Sequence, residues 1–148
     1  MGIKECIEQG FLAKVKPSLD VIEKELKEAT YDFERAQQAL EEEDFKWCIV
    51  KAYYAMFHVA KAVLFALGLK ERRHFAIGVV LGELNKRGKL EIKYVNDFMA
   101  AASSREDADY HYLYSKDIAN HCLEIAKDFL DRMKMLLEDL KKEPVSFD

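Results

Sequence analysis

Residues 45–67 read FKWCIVKAYYAMFHVAKAVLFAL, a stretch that is apolar on nearly every side of a helix. Only Lys51, His58 and Lys61 interrupt its interior, and they cluster on one side. A helix with so little polar surface lies at the centre of a bundle or is buried partly against another molecule. Because the three polar side chains make it a poor membrane span, the stretch predicts a buried helix.

Amphipathic helices are predicted on both sides of this central helix. Leu19 to Leu40 carries apolar residues at helical spacing with charged residues opposite, and a similar stripe runs from Ser115 to about Lys142. Asp44 and Ser115 are suitable N-caps for the central and final helices, because their side-chain oxygens can accept backbone N–H groups. Gly68 predicts the end of the central helix.

Shorter helical segments complete the predicted fold. They cover residues 3–15, 75–84 and about 90–106, and residues 107–114 read as the connection to the final helix. No window shows the two-residue alternation of a half-buried strand. The sequence therefore predicts an all-α fold, an antiparallel up-and-down bundle of four to five helices, in a single domain that spans residues 1–148.

The composition favours helices and limits the possible functions. Of the 148 residues, 50% are hydrophobic and 34% are charged, and six Gly and two Pro leave few helix breakers. The net charge of −4 lacks the basic excess that is typical of proteins that coat nucleic acid. An enzyme that contacts a few phosphates at one site needs no such excess, so RNA cleavage stays open.

Cysteine usage and the missing motifs predict a cytoplasmic protein without a metal or cofactor. Cys6, Cys48 and Cys122 are odd in number, far apart and in no CxxC pair, so we expect reduced and mostly buried thiols. No signal peptide is recognised at the N-terminus. The chain has no HExxH motif, no His and carboxylate cluster at ligand spacing and no Gly-rich phosphate loop.

Residues 104–111 read SREDADYH and place an arginine and a histidine in one segment. Arg105 can bind a phosphate through two N–H groups, and His111 is of the residue type that titrates near neutral pH. Together they supply the minimum for metal-free phosphodiester cleavage. On a continuous helix, residues six positions apart face different directions. The two side chains therefore converge only if the helix breaks between them or a second copy of the chain meets the first.

Two segments resemble the HEPN domain family. Residues 52–62 read AYYAMFHVAKA and are followed by Gly68 and Leu69, and similar Tyr-Tyr-Ala-Met-Phe helices recur in that family. Residues 105–110 read REDADY and are similar to the family's Arg-x-x-Ala-Asp-Tyr segment, which also leads into a long final helix. The resemblance extends from about Ala29 to Leu137.

The resemblance implies a helical bundle that is usually dimeric, and many such domains are metal-independent ribonucleases. Those domains carry Arg, then four to six residues, then His, and Arg105 and His111 fit this pattern. Many prokaryotic members act with a minimal nucleotidyltransferase as toxin–antitoxin pairs, and others that have lost the His serve as interaction or nucleotide-binding modules. One toxin subclass has a Tyr two residues after the His, which its partner modifies. Leu113 stands at that position here, so the modification is not assigned to a specific tyrosine.

Asp109 and Tyr110 are candidate supporting residues beside this motif. An ion pair between Asp109 and Arg105, four positions apart on a helix, would contribute only about 0.5 kcal/mol and suits a structural role. Alternatively, Asp109 orients His111, as carboxylates orient catalytic imidazoles.

Five further residues are candidate RNA contacts. Arg72, Arg73 and His74 adjoin a helix start, where backbone N–H groups favour anions, although a solvated basic turn is the alternative. Tyr112 and Tyr114 can stack on unpaired bases, or they can pack the connector over the core. His58, on the polar side of the central helix, is expected to be a core or interface histidine.

Two functions follow from these residues. In the first, the protein is an endoribonuclease in which Arg105 holds the scissile phosphate and His111 transfers a proton at the 2′-OH or the leaving oxygen. In the second, it is a non-catalytic module that binds a nucleotidyltransferase antitoxin or a nucleotide. The apolar surfaces of residues 45–67 and of the final helix predict a homodimer, and no membrane contact is expected.

Overall fold

The computed structural model describes residues 1–147, and it is 74% helical. Six helices and one small sheet form this part of the chain, so the predicted all-α fold is confirmed. In chain order the elements are α1 (Ile3–Glu8), β1 (Leu12–Lys14), α2 (Leu19–Glu41), α3 (Phe45–Ala66), β2 (Leu69–Glu71), α4 (Phe75–Lys86), α5 (Ile92–Tyr110) and α6 (Lys116–Lys142). Every element contributes to one buried hydrophobic cluster.

Helix α3 lies at the centre of the bundle, where it packs against α2, α5 and α6. Thirteen of its 22 residues are buried, including Tyr53, Met56 and Phe57. By length and composition α3 could cross a membrane, but 72% of its most apolar stretch is buried inside the bundle. A core helix of a soluble protein has the same properties, and the structure is compatible with a soluble protein.

The single chain therefore covers most of the apolar surface of α3 by itself. The homodimer prediction started from the premise that one small bundle would leave much of this surface open, and that premise is wrong for α3. The neighbouring helices cover its apolar faces. Trp47, which is 49% exposed, is the one large apolar side chain of α3 that is largely open to solvent. The homodimer stays a prediction, and its interface must come from other surfaces.

The predicted boundaries of the long helices are confirmed. The Asp44 side chain accepts a hydrogen bond from the Trp47 backbone N–H at 3.3 Å and caps α3. Ser115 caps α6 in the same way, accepting from the backbone N–H of Ile118 at 3.2 Å. Gly68 follows α3 with a φ of +76°, in the left-handed region that ends helices.

The N-terminal segment differs from the predicted helix over residues 3–15. Helix α1 ends at Glu8, the chain turns at Gly10 with a φ of +78°, and Leu12–Lys14 forms β1. This strand pairs antiparallel with β2 (Leu69–Glu71), so the segment that leads into the basic turn at Arg72 to His74 is a strand. Each strand has three residues, which is too short for a recognisable alternation in the sequence.

Helix α5 is longer than predicted and continues to Tyr110, so the expected break near Asp107 is wrong. The connection to α6 covers residues 111–115. Residues 107–114 contain no Gly or Pro to stop the helix, and fully buried Ala108 anchors its last turn in the core. The carbonyl of Asp107 accepts hydrogen bonds from the backbone N–H groups of His111 at 3.0 Å and Leu113 at 3.1 Å.

The three cysteines are buried and free, as the sequence predicted. Burial raises the pKa of each thiol, that of Cys48 to about 11. They are therefore protonated at neutral pH and serve as small apolar core residues.

We predict that Gly68→Ala destabilises the fold by about 1–2 kcal/mol, since an L residue is strained in the left-handed region. An added Cβ would also lie 3.2 Å from the backbone oxygen of Val15. Gly82→Ala, inside α4 with open space around its Cβ, is the matched control. It should stabilise by roughly 0.5–1 kcal/mol through helix propensity. Urea denaturation of both variants checks this, and a fully stable Gly68→Ala protein would contradict it.

Candidate functional site

Arg105 is held on the inward side of α5 by contacts with α3 and with its own helix. The buried residues Ala101 and Ala108 lie one turn on either side of it and turn this face toward the core. Its Nη2 donates a hydrogen bond to the Tyr54 hydroxyl at 3.1 Å, and its Nε lies 3.0 Å from Asp109 Oδ2. The guanidinium is thereby oriented before any ligand binds.

The Asp109 contact is an ion pair rather than an aligned hydrogen bond, because buried Nε has no hydrogen-bond acceptor. Both side chains are about one-fifth exposed, so the pair contributes little stability, on the order of 0.5 kcal/mol. Arg105 also lies over two aromatic rings, 5.6 Å from the Tyr54 centroid and 5.8 Å from that of Tyr110. Within residues 1–147, its Nη1 makes no hydrogen bond or ion pair with the protein, which leaves one edge of the guanidinium for a ligand.

His111 lies at the C-terminal end of α5, exposed to solvent. Helix α5 continues to Tyr110 and His111 follows as its C-cap, so the helix is unbroken from Arg105 to the position directly before His111. Six helical positions separate side chains by roughly 9 Å along the axis and about 120° around it. A single chain therefore does not bring the two side chains together. No hydrogen bond joins Asp109 to His111 in the described part of the chain, so the orienting role expected of Asp109 has no support here.

A cleft of about 350 Å³ opens beside Arg105, between α3, α4 and α5. Its polar lining consists of His74, Ser103, Arg105 and Glu106. Its apolar lining includes Tyr53, whose pKa burial raises to about 12, so that its hydroxyl stays protonated at neutral pH. The cleft lies at the lower end of the size range of small-ligand pockets.

His74 enters this cleft from the start of α4. It is exposed, and its ring lies 4.5 Å from that of Phe57 between centroids. From the sequence, His74, Arg72 and Arg73 are all candidate RNA contacts. Arg72 and Arg73 are exposed in the segment between β2 and α4, but they do not line the cleft. The structure thus places His74, and not His111, in the same pocket as Arg105.

The segment after α5 presents a row of exposed aromatic and apolar side chains. Tyr110, Tyr112 and Tyr114 are 65%, 77% and 43% exposed, and Leu113 is 56% exposed. Ile118, in the first turn of α6, continues the row at 38%. The alternative in which these tyrosines pack the connector over the core is therefore wrong for the single chain. The row, which we call the aromatic connector (residues 110–118), is an unpartnered surface next to His111.

A second polar cluster joins α2, α3 and β2 around His58. Its Nδ1 donates a hydrogen bond of 2.7 Å to Glu25 Oε2, and its Nε2 lies 3.6 Å from Asp32 Oδ2. Lys61 Nζ bridges Glu25 at 3.5 Å and Glu71 at 3.3 Å. His58 is thus satisfied by partners between two helices of the core, as the sequence predicted.

Burial and neighbouring charges shift the pKa values of two carboxyl groups in this cluster in opposite directions. Burial opposes ionisation of Glu25, but the His58 hydrogen bond and the Lys61 charge outweigh it and lower the pKa of Glu25. Asp32 is more deeply buried, and desolvation raises its pKa despite the charges of Lys51 and His58.

Glu28, Asp32 and His58 are the residues within 1–147 whose geometry could suit a metal ion, with donor atoms within 4.8 Å of one another. No ligand spacing in the sequence indicates this set, because its residues belong to two different helices. Lys51 Nζ already lies 3.7 Å from Asp32 Oδ1 and compensates part of the negative charge. This cluster is on the polar side of α3, whereas Arg105 contacts α3 through Tyr54.

Comparison with known proteins identifies the family of the chain. A family model described as HEPN domain matches residues 22–136, which include both segments on which the resemblance was based. The chain is 29% identical over 118 residues to a UPF0332 protein of Archaeoglobus fulgidus, covering 78% of this chain and 94% of that one. It is 27% identical over 110 residues to a UPF0332 protein of Thermotoga maritima, covering 72% and 83%. Neither relative's name states an activity.

We predict that Glu25→Gln lowers the free energy of unfolding at pH 7 by about 2 kcal/mol, the scale of a hydrogen bond to a charged group. A lowered folded pKa stabilises the protein above the ordinary value of 4.5, and this contribution is lost as pH falls through the folded pKa. The difference in unfolding free energy between wild type and Glu25→Gln should therefore become smaller below about pH 4.5.

Urea denaturation at pH 7 and at acidic pH measures this difference. The matched control is Glu23→Gln, at an exposed position on the same helix and outside the cluster around His58, which should change stability by less than about 0.5 kcal/mol. Equal stability of Glu25→Gln and wild type at pH 7 would show that the network around His58 contributes nothing.

Proposed function

This protein belongs to the HEPN family, and we propose that it is a metal-independent endoribonuclease of the HEPN toxin type. In this proposal, Arg105 of one protomer and His111 of its partner form a site at the seam of a cytoplasmic homodimer. The observation that carries the proposal is the guanidinium of Arg105, fixed by Tyr54 and Asp109 with one edge free, beside an open cleft.

The setting of Arg105 suits a phosphate. Its contacts with Tyr54 and Asp109 remove side-chain freedom before binding, which lowers the entropic cost of holding an anion. The free Nη1 would let a phosphodiester approach the guanidinium along one edge. In a half-buried position the attraction is stronger than in bulk water, because solvent screens it less. Arg105 would therefore hold the scissile phosphate and stabilise its developing charge.

The dimer is proposed because the helical path separates the side chains of Arg105 and His111. Since α5 is continuous from one residue to the position before the other, their side chains diverge within one chain. A second copy, related by a two-fold axis near the aromatic connector, would bring its His111 to the first Arg105 and complete two equivalent sites. The exposed aromatic connector supports this placement, because it is an apolar surface directly beside His111.

These groups can catalyse a transesterification, in which the phosphoryl group is transferred from the 5′ oxygen to the neighbouring 2′ oxygen. An imidazole takes the proton of the 2′-OH as its oxygen attacks phosphorus, and the bond to the 5′ oxygen breaks as that oxygen gains a proton. The products are a 2′,3′-cyclic phosphate and a 5′-hydroxyl. The requirement for a 2′-OH restricts cleavage to RNA. Tyr112 and Tyr114 would stack on unpaired bases near the site.

The aromatic connector also favours a second candidate function, a partner module without catalysis. Four exposed large side chains in five consecutive positions, from Tyr110 to Tyr114, form a surface that a nucleotidyltransferase antitoxin could cover. In that case Arg105 and Asp109 would be a structural pair and His111 a surface residue. The two functions differ in one respect that is directly measurable: cleavage of RNA by the purified protein.

We predict that His111→Ala lowers RNA cleavage by ~10²-fold or more, the usual scale for loss of a general acid or base. Its stability should be almost unchanged, because the side chain is exposed. Arg105→Ala should also impair cleavage, and EDTA should have no effect. Initial rates on varied RNAs measure both variants, with His121→Ala, an exposed histidine of α6, as the control. If wild type cleaves no faster than His111→Ala, the partner module is the better account.

A mixture of two inactive variants tests the shared site. Equal amounts of Arg105→Ala and His111→Ala subunits should recover about a quarter of wild-type activity, since half of randomly paired dimers are mixed and each has one intact site of two. Sedimentation equilibrium at micromolar concentration should show the dimer. A protein that is active but monomeric would contradict the proposal that the site is shared between protomers.

A further inference from the structure

We propose that His74 is a second proton-transfer residue of this site and acts on the phosphate held by Arg105 of its own chain. This inference rests on the proposed function and deepens it. The sequence places His74 in a basic turn far from the Arg105 segment and suggests no more than an RNA contact. Packing of α4 against α5 brings the two residues into one cleft.

The geometry of the cleft supports a role at the reacting phosphate. Arg105 and His74 line the same pocket of about 350 Å³, which is large enough for one phosphate and part of a nucleoside. The His74 ring rests against Phe57, 4.5 Å between centroids, which fixes one side of the imidazole and leaves the rest accessible. Met99 and Phe75, both about half exposed, offer apolar surface for a base or ribose.

The charged and titratable groups around His74 leave it as the suitable proton carrier. Arg105 and Glu106 of α5 line the same cleft as His74, and so does Tyr53 of α3, which stays protonated at neutral pH. Lys61 lies over the ring of Phe57 at 5.3 Å, and Arg72 and Arg73 precede His74 in the chain. Arginine and lysine remain charged at neutral pH, whereas an imidazole titrates there.

RNA cleavage by this route needs two proton transfers, and His74 provides the group for one of them. One imidazole accepts the proton of the 2′-OH as the new bond from oxygen to phosphorus forms. A second, protonated imidazole donates its proton to the 5′ oxygen as the bond from phosphorus to that oxygen breaks. His111 of the partner protomer and His74 of the Arg105 protomer would divide these two steps. The reaction as written requires no oxidant, reductant or metal ion.

The test compares His74→Gln with wild type and with His121→Gln, a control at an exposed histidine of α6. His74→Gln should lower kcat by ~10²-fold or more with a smaller change in KM, and one limb of the pH–rate profile should disappear. Added imidazole should restore part of the activity of His74→Ala, which a merely structural role would not allow. His121→Gln should behave like wild type.

Subunit mixing decides whether His74 acts within its own chain. Arg105→Ala mixed with His74→Gln should stay inactive, because every Arg105 in the mixed dimer then lacks its His74. Recovery of activity in this mixture would overturn the assignment to one chain. An active His74→Gln protein beside an inactive His111→Ala protein would overturn the inference and leave the proposed function intact. Wild-type protein without cleavage above His111→Ala would overturn both.

Discussion

Burial of α3 on nearly all sides is the constraint on which the rest of the structure depends. Its apolar faces are covered by α2, α5 and α6, and this central position sets what each neighbour can contact. On one side, Tyr54 of α3 receives the hydrogen bond of Arg105. On the polar side, His58 and Lys61 meet the carboxylates of α2 and β2. Both polar clusters thus depend on the rotation of one helix about its axis.

Local signals explain why much of the fold could be predicted from the sequence. Asp44 and Ser115 cap helices through contacts three residues away, and Gly68 ends α3 through its own backbone angles. The sheet escaped prediction because three-residue strands have no recognisable period, and their pairing joins distant parts of the chain. The end of α5 was misplaced because burial of Ala108, a tertiary effect, continues the helix beyond the polar residues before it.

The sequence predicted which residues of the motif form the candidate site, but it did not predict which side chains lie around them in three dimensions. The residue types and the resemblance to the HEPN family singled out Arg105 and His111, and their spacing indicated that one continuous helix cannot align them. Tyr54 and His74 reach Arg105 through packing between helices that are far apart in sequence, which no single-sequence pattern reports. The motif therefore named Arg105, and the fold supplies the residues that orient its guanidinium and share its cleft. The continuous α5 also makes the dimer a requirement of the Arg105–His111 site rather than an independent expectation.

In the proposed site, one phosphate at Arg105 is reached by His74 from the same chain and by His111 from the other. The chain has four histidines, at positions 58, 74, 111 and 121, so their imidazole NMR signals form a complete and readable set. The protein is titrated with a short RNA whose 2′-OH groups are methylated. Because methylation removes the nucleophile, this RNA is not cleaved and the signals report binding alone. The NMR signals of His74 and His111 should shift together, while those of His58 and His121 should stay in place. In Arg105→Ala protein, both shifts should be absent. Shifts confined to His58 or His121, or unaffected by Arg105→Ala, would contradict the proposed site.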